Sequence, residues 1–511
     1  MTSERYIAAV DLGTTRISLT VAKVTGSDIQ ILFFGHTPAM GIRSSAIFSP
    51  GRAEGPVKEL IRKAEEELNI KIFQVVTGLP RCNVRQEINQ AEVSRNNPGE
   101  SITREEVEAL KQLAKDEYPI EDTDNEELYG AIAQSFSSDE DFQLIESDIL
   151  GVVSSSFKGN FKLFIGRKSA VKAIDKVFND MSVAVAAKYF TPITAARAIL
   201  TEDEMENGVA VIDFGGGATS VSVYKGKVMR HYASIPFGGR TITTDIRTEC
   251  TISEALAENI KLAFGACPPE RLQSLGDKII QIEGDDIAGL KQIPVKYLSE
   301  IITARLKEIT DAMLFEIQRS GLADDIRSGL VITGGGAALA GLTGYLKEVS
   351  GYNVRRGQPR QYFSALDCPE IFSCAATNSA GIVLAAAEDE TINCVEAFKA
   401  PEPAPSIVPE PEPEPDAADI PVTETSETAG TPEPEPEAIS APEPVTTSTP
   451  GPEPETETPV HIEPVRESAP ARAKPQKPAK PLFKSFRWFN RLTDKLEKGA
   501  DALGNFFEQG Q

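Results

Sequence analysis

Apolar and polar positions divide this chain into contrasting textures. Up to about Leu384, short apolar runs of strand length alternate with stretches whose apolar residues recur every three or four positions, the pattern of α/β organisation. Gly208 to Tyr224 reads G-V-A-V-I-D-F-G-G-G-A-T-S-V-S-V-Y. An apolar run ends in Asp213, three glycines follow, and a second run alternates small polar with apolar residues, which predicts strand, tight turn, strand. Ile7 to Val21, I-A-A-V-D-L-G-T-T-R-I-S-L-T-V, has the same plan around Asp11. Two such hairpins predict a chain built from duplicated halves.

The remaining elements fit between and after them. Ile29 to Phe34 reads as a strand, Pro56 to Leu68 as a helix with Leu60, Ile61, Ala64 and Leu68 on one side, and Phe73 to Leu79 as a buried strand. From Arg81 the texture changes. Polar strand-like residues run to Glu92, and Ile102 to Tyr118 reads as a helix opened by Thr103 with Glu106 three residues on, a capping box. Short alternating strands follow from Glu126 to Phe164, clearest in Y-G-A-I-A-Q-S-F and L-G-V-V-S-S-S-F, so residues 81 to 164 are expected to be an inserted subdomain. Helices are expected at Ala170 to Met181, Pro192 to Leu200, from Arg240, at Glu254 to Phe264 and at Leu298 to Arg319, with a strand at Val228 to Ile235. Gly329 to Leu342, G-L-V-I-T-G-G-G-A-A-L-A-G-L, repeats the strand and glycine turn, and a helix is expected from Leu339. A glycine turn that opens a helix brings N–H groups and the positive dipole end to a ligand.

The hairpin turns carry the candidate chemistry. Glycines leave room for an anion beside converging N–H groups, and an aspartate at the strand end can hold a cation or a water, so such a loop can cradle phosphate. A single loop of this kind is equally an ordinary turn whose glycines serve only the backbone. Two copies, each offering an aspartate to a ligand between them, favour the cradle.

Composition changes the picture at the C-terminal end. The net charge of -24 is unevenly placed: from Pro401 to Val465 there is no Lys or Arg, and about sixteen acids sit among prolines, a composition that forms no core. The folded part is therefore only mildly acidic, and it has no basic patch for nucleic acid. Six cysteines show no C-x-x-C pair and no metal-ligand spacing with the three histidines, as expected of reduced thiols. No signal peptide and no transmembrane stretch is expected. The tether to Lys480, some eighty residues, spans about 50 Å as a flexible coil and at most about 250 Å if extended as polyproline.

Beyond the tether the pattern turns amphipathic. Leu482, Phe486, Phe489, Leu492, Leu496, Ala500, Leu503 and Phe507 recur at helical spacing, with Phe483 and Phe506 beside them. Lys484, Arg487, Arg491, Lys495 and Lys498 fall mostly elsewhere, and Trp488 is the chain's only tryptophan. Arg472, Lys474, Lys477 and Lys480 precede this segment. An aromatic apolar face beside a cationic one suits an anionic bilayer surface, and Gly499 and Gly504, each costing about 1 kcal/mol of helix stability, favour folding on contact with lipid. A helix docking back on the body, or one binding a partner's groove, is the other reading.

D-L-G-T-T at Asp11 to Thr15, D-F-G-G-G-A-T at Asp213 to Thr219 and T-G-G-G-A-A-L at Thr333 to Leu339 resemble the two phosphate motifs and the adenosine motif of the actin, sugar-kinase and heat-shock chaperone superfamily. I-P-F-G-G-R-T-I-T-T-D-I from Ile235, A-E-N-I-K-L-A-F-G from Ala257 and V-R-R-G-Q-P from Val354 resemble the bacterial cell-division family FtsA. The resemblance implies an α/β, actin-like (ribonuclease H-like) duplicated two-domain fold around a nucleotide cleft, with an FtsA-type insertion. The implied domains are subdomain 1A at 1–80 and 165–207, 1C at 81–164, 2A at 208–250 and 329–398, 2B at 251–328, a linker at 399–481 and a membrane-targeting helix at 482–509. The implied ligands are ATP and Mg2+. Asp11 and Asp213 would set the metal and its waters. Gly13, Thr14, Thr15 and Arg16 would face one side of the phosphates, and Gly215, Gly216, Gly217 and Thr219 the other, with the paired Gly238 and Gly239 nearby. Glu258 and Lys261 would flank ribose and base, and Gly334, Gly335 and Gly336 would admit the adenosine.

The resemblance further implies an adaptor on the cytoplasmic face of the inner membrane at the division site. It would polymerise with itself, bind the C-terminal peptide of FtsZ and recruit later divisome proteins, with no nucleic-acid partner. Leu482, Phe483, Phe486, Arg487, Trp488, Phe489, Arg491, Leu492, Leu496, Leu503, Phe506 and Phe507 would contact the membrane. Two departures bear on mechanism. Arg240 stands where the family usually has asparagine, and F-T-P-I-T-A-A-R-A-I at Phe190 to Ile199 lacks the acid that relatives such as MreB place before a similar proline to orient the attacking water. Hydrolysis without a positioned base is expected to be weak at best, with no catalytic residue assigned. A pilus-assembly actin-like ATPase and a small-molecule kinase of the same superfamily are the alternatives.

Overall fold

The computed structural model describes residues 4–139, 143–282, 291–360 and 362–397. The chain divides into two units, Met1–Pro409 and Glu410–Gln511, and all the described elements belong to the first. The expected linker at 399–481 and amphipathic segment at 482–509 lie outside the described residues.

The first half opens with a meander, β1 (Glu4–Leu12), β2 (Arg16–Thr25) and β3 (Asp28–Pro38), followed by α1 (Pro50–Leu68) and β4 (Gln74–Leu79). An excursion follows through β5 (Arg85–Ser94), α2 (Arg104–Asp116), β6 (Glu126–Ser138) and β7 (Ser156–Arg167). The chain then returns through α3 (Lys168–Asp180), β8 (Ala184–Phe190) and α4 (Thr191–Ile199). The second half repeats the plan: β9 (Val209–Phe214), β10 (Thr219–Lys225), β11 (Val228–Ile235), α5 (Gly239–Cys250), α6 (Glu254–Phe264), α7 (Val295–Arg319), β12 (Leu330–Thr333), α8 (Leu342–Ser350) and β13 (Val354–Arg356). Then comes α9 (Thr377–Ala387), and a short strand at Val395–Ala397 follows it.

Sheet order makes the duplication explicit. The first sheet runs β3-β2-β1-β4-β8 and the second β11-β10-β9-β12-β13, each an antiparallel meander continued by two parallel strands. Even the registers correspond: Asp11 faces Ser18 across β1 and β2, and Asp213 faces Ser220 across β9 and β10. Strands covered on both faces have little need of polar residues, which is why V-A-V-I-D-F is buried from end to end. This is the actin-like two-domain fold.

The excursion forms its own antiparallel sheet, β5-β7-β6. A core of Val107, Leu110, Phe136, Phe157 and Phe161 lies under α2, whose capping box between Thr103 and Glu106 is formed. The insertion rests on the edge strand β11: Gln134 donates to the Met229 carbonyl at 3.0 Å and Arg230 to the Gln134 carbonyl at 2.7 Å. Phe164, Phe190 and Tyr232, from β7, β8 and β11, pack where the three sheets converge, with ring centroids 4.8 to 6.2 Å apart.

Three expectations need correction. L-G-V-V-S-S-S-F is mostly loop, because Asp139 accepts from the Ser155 N–H at 2.7 Å and from the Ser155 and Ser156 hydroxyls at 2.6 and 2.9 Å, and β7 begins only at Ser156. The helix expected from Leu339 starts at Leu342, since a 3-10 turn at Gly335–Ala338 and a left-handed Gly341 intervene. Residues 377–397, expected with the second half, pack on the first. There α9 joins the core beneath β1 and α4, and Val395 pairs with Ile72.

Candidate functional site

The ends of β1 and β9 lie on either side of a cavity of about 620 Å3 between the two halves. Its lining draws on Asp11, Gly13, Thr14, Thr15 and Arg16 from the first hairpin and on Asp213, Gly215 and Gly216 from the second. Gly238 and Gly239 at the start of α5, Glu258 and Lys261 on α6, and Gly334, Gly335 and Gly336 after β12 line it as well. Gly217 and Thr219 do not line it. A side chain on Gly217 would strike Thr14, and Thr219 is fully buried with its hydroxyl donating to the Phe237 carbonyl at 2.8 Å.

Backbone geometry explains why the glycines are needed. A Cβ on Gly216 would collide with Thr15, so the two turns can approach this closely only without one. Gly334 has φ 84 and ψ 168, a region essentially confined to glycine, which folds the chain back beside Asp213. The first N–H groups of α5 are already used: Gly239 donates to the Gly215 carbonyl at 3.0 Å and Arg240 to the Gly216 carbonyl at 2.7 Å. The second turn is thereby fixed to the helix behind it.

On α6 the Lys261 ammonium has three acceptors: Glu258 Oε2 at 2.7 Å, Thr243 Oγ1 at 2.8 Å and the Gly239 carbonyl at 3.0 Å. This cluster joins α6 to the first turn of α5 at the cavity wall. Arg240 points the other way, to an ion pair with Glu254 at 3.0 Å on the exposed face. The cavity side of α4 begins with Thr191, and no acid sits in that helix's first turn.

Four lining residues went unnoticed in the sequence. Arg81, just after β4, forms an ion pair with Asp213 across the cleft, both side chains nearly buried. Ser45 donates its N–H to Thr14 Oγ1 at 3.0 Å. Asn378, at the start of α9, reaches Asp213 Oδ2 at 3.4 Å, and Thr191 fills the space beside Gly78.

The electrostatics fit an anion together with a positive counter-charge. Burial pushes the Asp11 carboxyl above its ordinary range, and the charges of Arg81 and Arg16 oppose that rise. Asp213 Oδ1 is buried without a hydrogen-bond partner among the described residues. Such an orphaned oxygen calls for a cation or a water.

The model of the cell division protein FtsA family matches residues 210–376. The cell division protein FtsA of Neisseria meningitidis serogroup B is 28% identical over 272 residues, 53% of this chain and 64% of that protein. Over these residues the chain is similar to the FtsA family. The FtsA of Enterococcus hirae is also 28% identical, over 69% of this chain and 78% of its own length. The match to the Neisseria relative thus spans slightly under two thirds of that protein. Among solved structures, the PilM-PilN type IV pilus biogenesis complex is similar at a TM-score of 0.51 and 16% identity, covering 74% of this chain and 98% of that one. That likeness concerns the fold.

Proposed function

We propose that this chain is an ATP-binding, self-assembling cell-division protein that links FtsZ filaments to the inner face of the cytoplasmic membrane and recruits later divisome proteins. The observation that carries the reading is the cavity on which the turns of two duplicated hairpins close, with an aspartate from each half and a glycine turn after β12. Gly13 to Thr15, Gly215 and Gly216 hold the phosphates, the Lys261 cluster borders the ribose, and Gly334 to Gly336 admit the base. Asp11 and the unpartnered Oδ1 of Asp213 are the groups that would hold Mg2+, directly or through water. Among the described residues the acids lining the cavity are Asp11, Asp213 and Glu258, and Glu258 is engaged by Lys261. No carboxylate at α4 orients an attacking water, so turnover is slow and the nucleotide serves assembly.

The membrane tether rests on the amphipathic pattern at 482–509. No helix among the described residues is long and apolar enough to cross a membrane. Co-sedimentation with anionic liposomes tests the whole reading. Full-length chain with ATP should pellet and carry a peptide of the FtsZ C-terminus with it, and removal of 482–511 should abolish pelleting while leaving ATP binding intact. Lipid binding by the truncated chain would refute the tether, and failure to bind ATP would refute the nucleotide role.

A further inference from the structure

Arg81 belongs to none of the motifs that define the cleft, yet it sits at its centre. It leaves the first half just after β4 and reaches the second, where Nη1 donates to Asp213 Oδ2 and Nη2 lies where a side chain on Gly215 would be. Its side chain is 12% exposed and that of Asp213 is 10% exposed. The backbone is fixed as well, since the Arg81 carbonyl accepts the Tyr232 hydroxyl at 2.5 Å. A guanidinium is thus held, nearly dry, against the carboxylate that would otherwise attract a divalent cation. One oxygen of Asp213 remains for a metal or its water.

Such a group has the charge and the donors to hold phosphate itself. Guanidinium pairs with phosphate through parallel hydrogen bonds and does not lose its proton, and a partly buried charge is weakly screened. We propose that Arg81 is a built-in cation of the nucleotide pocket, which moves from Asp213 onto the terminal phosphates and takes over part of the role of the divalent metal. The chain then binds nucleoside triphosphate with little dependence on Mg2+. This rests on the nucleotide reading above and adds to it a specific source of positive charge.

Titration of full-length protein with ATP, in Mg2+ and in EDTA, tests it. Wild-type affinity should change by less than about threefold between the two buffers. Arg81→Gln should lose about tenfold to a hundredfold in EDTA, as expected for a charge-assisted hydrogen bond, and less in Mg2+. Arg81→Lys should recover part of the EDTA affinity. The wild-type comparison needs no variant, so it decides the matter even if circular dichroism shows Arg81→Gln to be misfolded. A wild-type loss above about tenfold in EDTA overturns the proposal, as does a folded Arg81→Gln with wild-type affinity in both buffers. ATP binding in neither buffer overturns the nucleotide reading itself.

Discussion

Adjacent glycines after β12 separate what the cleft needs for folding from what it needs for its ligand. Gly334 holds φ 84 and ψ 168, and its N–H donates to the Cys374 carbonyl at 3.0 Å. A Cβ there would strike Asp213 Oδ1 and would lie 2.6 Å from the Phe214 carbonyl oxygen and 2.8 Å from its carbon. The backbone term costs about 1–3 kcal/mol and the overlap with main chain about as much again, so Gly334→Ala should destabilise by about 4 kcal/mol. At roughly 2–4 °C per kcal/mol, the melting transition falls by about 8–16 °C. Gly335 has nothing within 4 Å of its would-be Cβ and borders the cavity. Gly335→Ala should therefore melt within about 0.5 kcal/mol of wild type while weakening ATP binding by about tenfold. Circular dichroism melts and ATP titration of the two variants are the assays. Wild-type melting by Gly334→Ala, or a Gly335→Ala that loses stability yet binds ATP normally, would refute the reasoning.

Arg5, nearly buried, donates to the carbonyls of Ala386 and Ala387 at the end of α9 and to those of Asp389 and Ile392 beyond it, so Arg5→Ala should cost about 3 kcal/mol in urea unfolding, with Arg5→Lys recovering less than half. Arg95 pairs with both Glu106 oxygens at 2.8 and 2.9 Å, and that bond holds the Glu106 carboxyl below its ordinary 4.5. A lowered folded value means stability that is complete above 4.5 and lost as pH falls through the folded value. Acid melts of wild type should accordingly steepen below that point, and Arg95→Ala should flatten the slope. Arg240→Asn, which removes only the exposed pair with Glu254, should leave ATP affinity within about twofold by titration.

The duplicated hairpins were legible because their strands are buried on both faces and end in a charge that no buried turn would otherwise carry. What escaped was coded differently. In α9, T-N-S-A-G-I-V-L-A-A-A has small residues on every side and no polar stripe, since it is enclosed between α4 and β1. A Cβ on its Gly381 would come within 2.6 Å of the Thr194 backbone, so close approach rather than amphipathicity selects its residues. L-G-V-V-S-S-S-F has the apolar content of a strand, but its serines bond to Asp139, and local side-chain bonds compete with a ladder. Arg81 was hidden because its partner, Asp213, is 132 residues away along the chain. An apolar period reports which face is buried, and it is silent about which polar side chain crosses a cleft.

The same geometry explains why the side chain at Arg240, the position where the resemblance leads one to expect asparagine, does not bear on the cleft. The second turn rests on Thr14 and Thr15 on one side, through the bare Cα positions of Gly216 and Gly217. On the other side its Gly215 and Gly216 carbonyls accept from the first N–H groups of α5. Those bonds are made by main chain, so the identity of the side chain at 240 does not enter them. Behind α5, Lys261 fixes α6 through the Gly239 carbonyl, and Arg305 on α7 binds Asp245 at 2.6 Å. A ligand that changed the separation of the two turns would thus move α5, α6 and α7 as one block through hydrogen bonds already in place. Transmission of this kind needs occupancy and no bond cleavage, which is what the proposed role of the nucleotide in assembly would require.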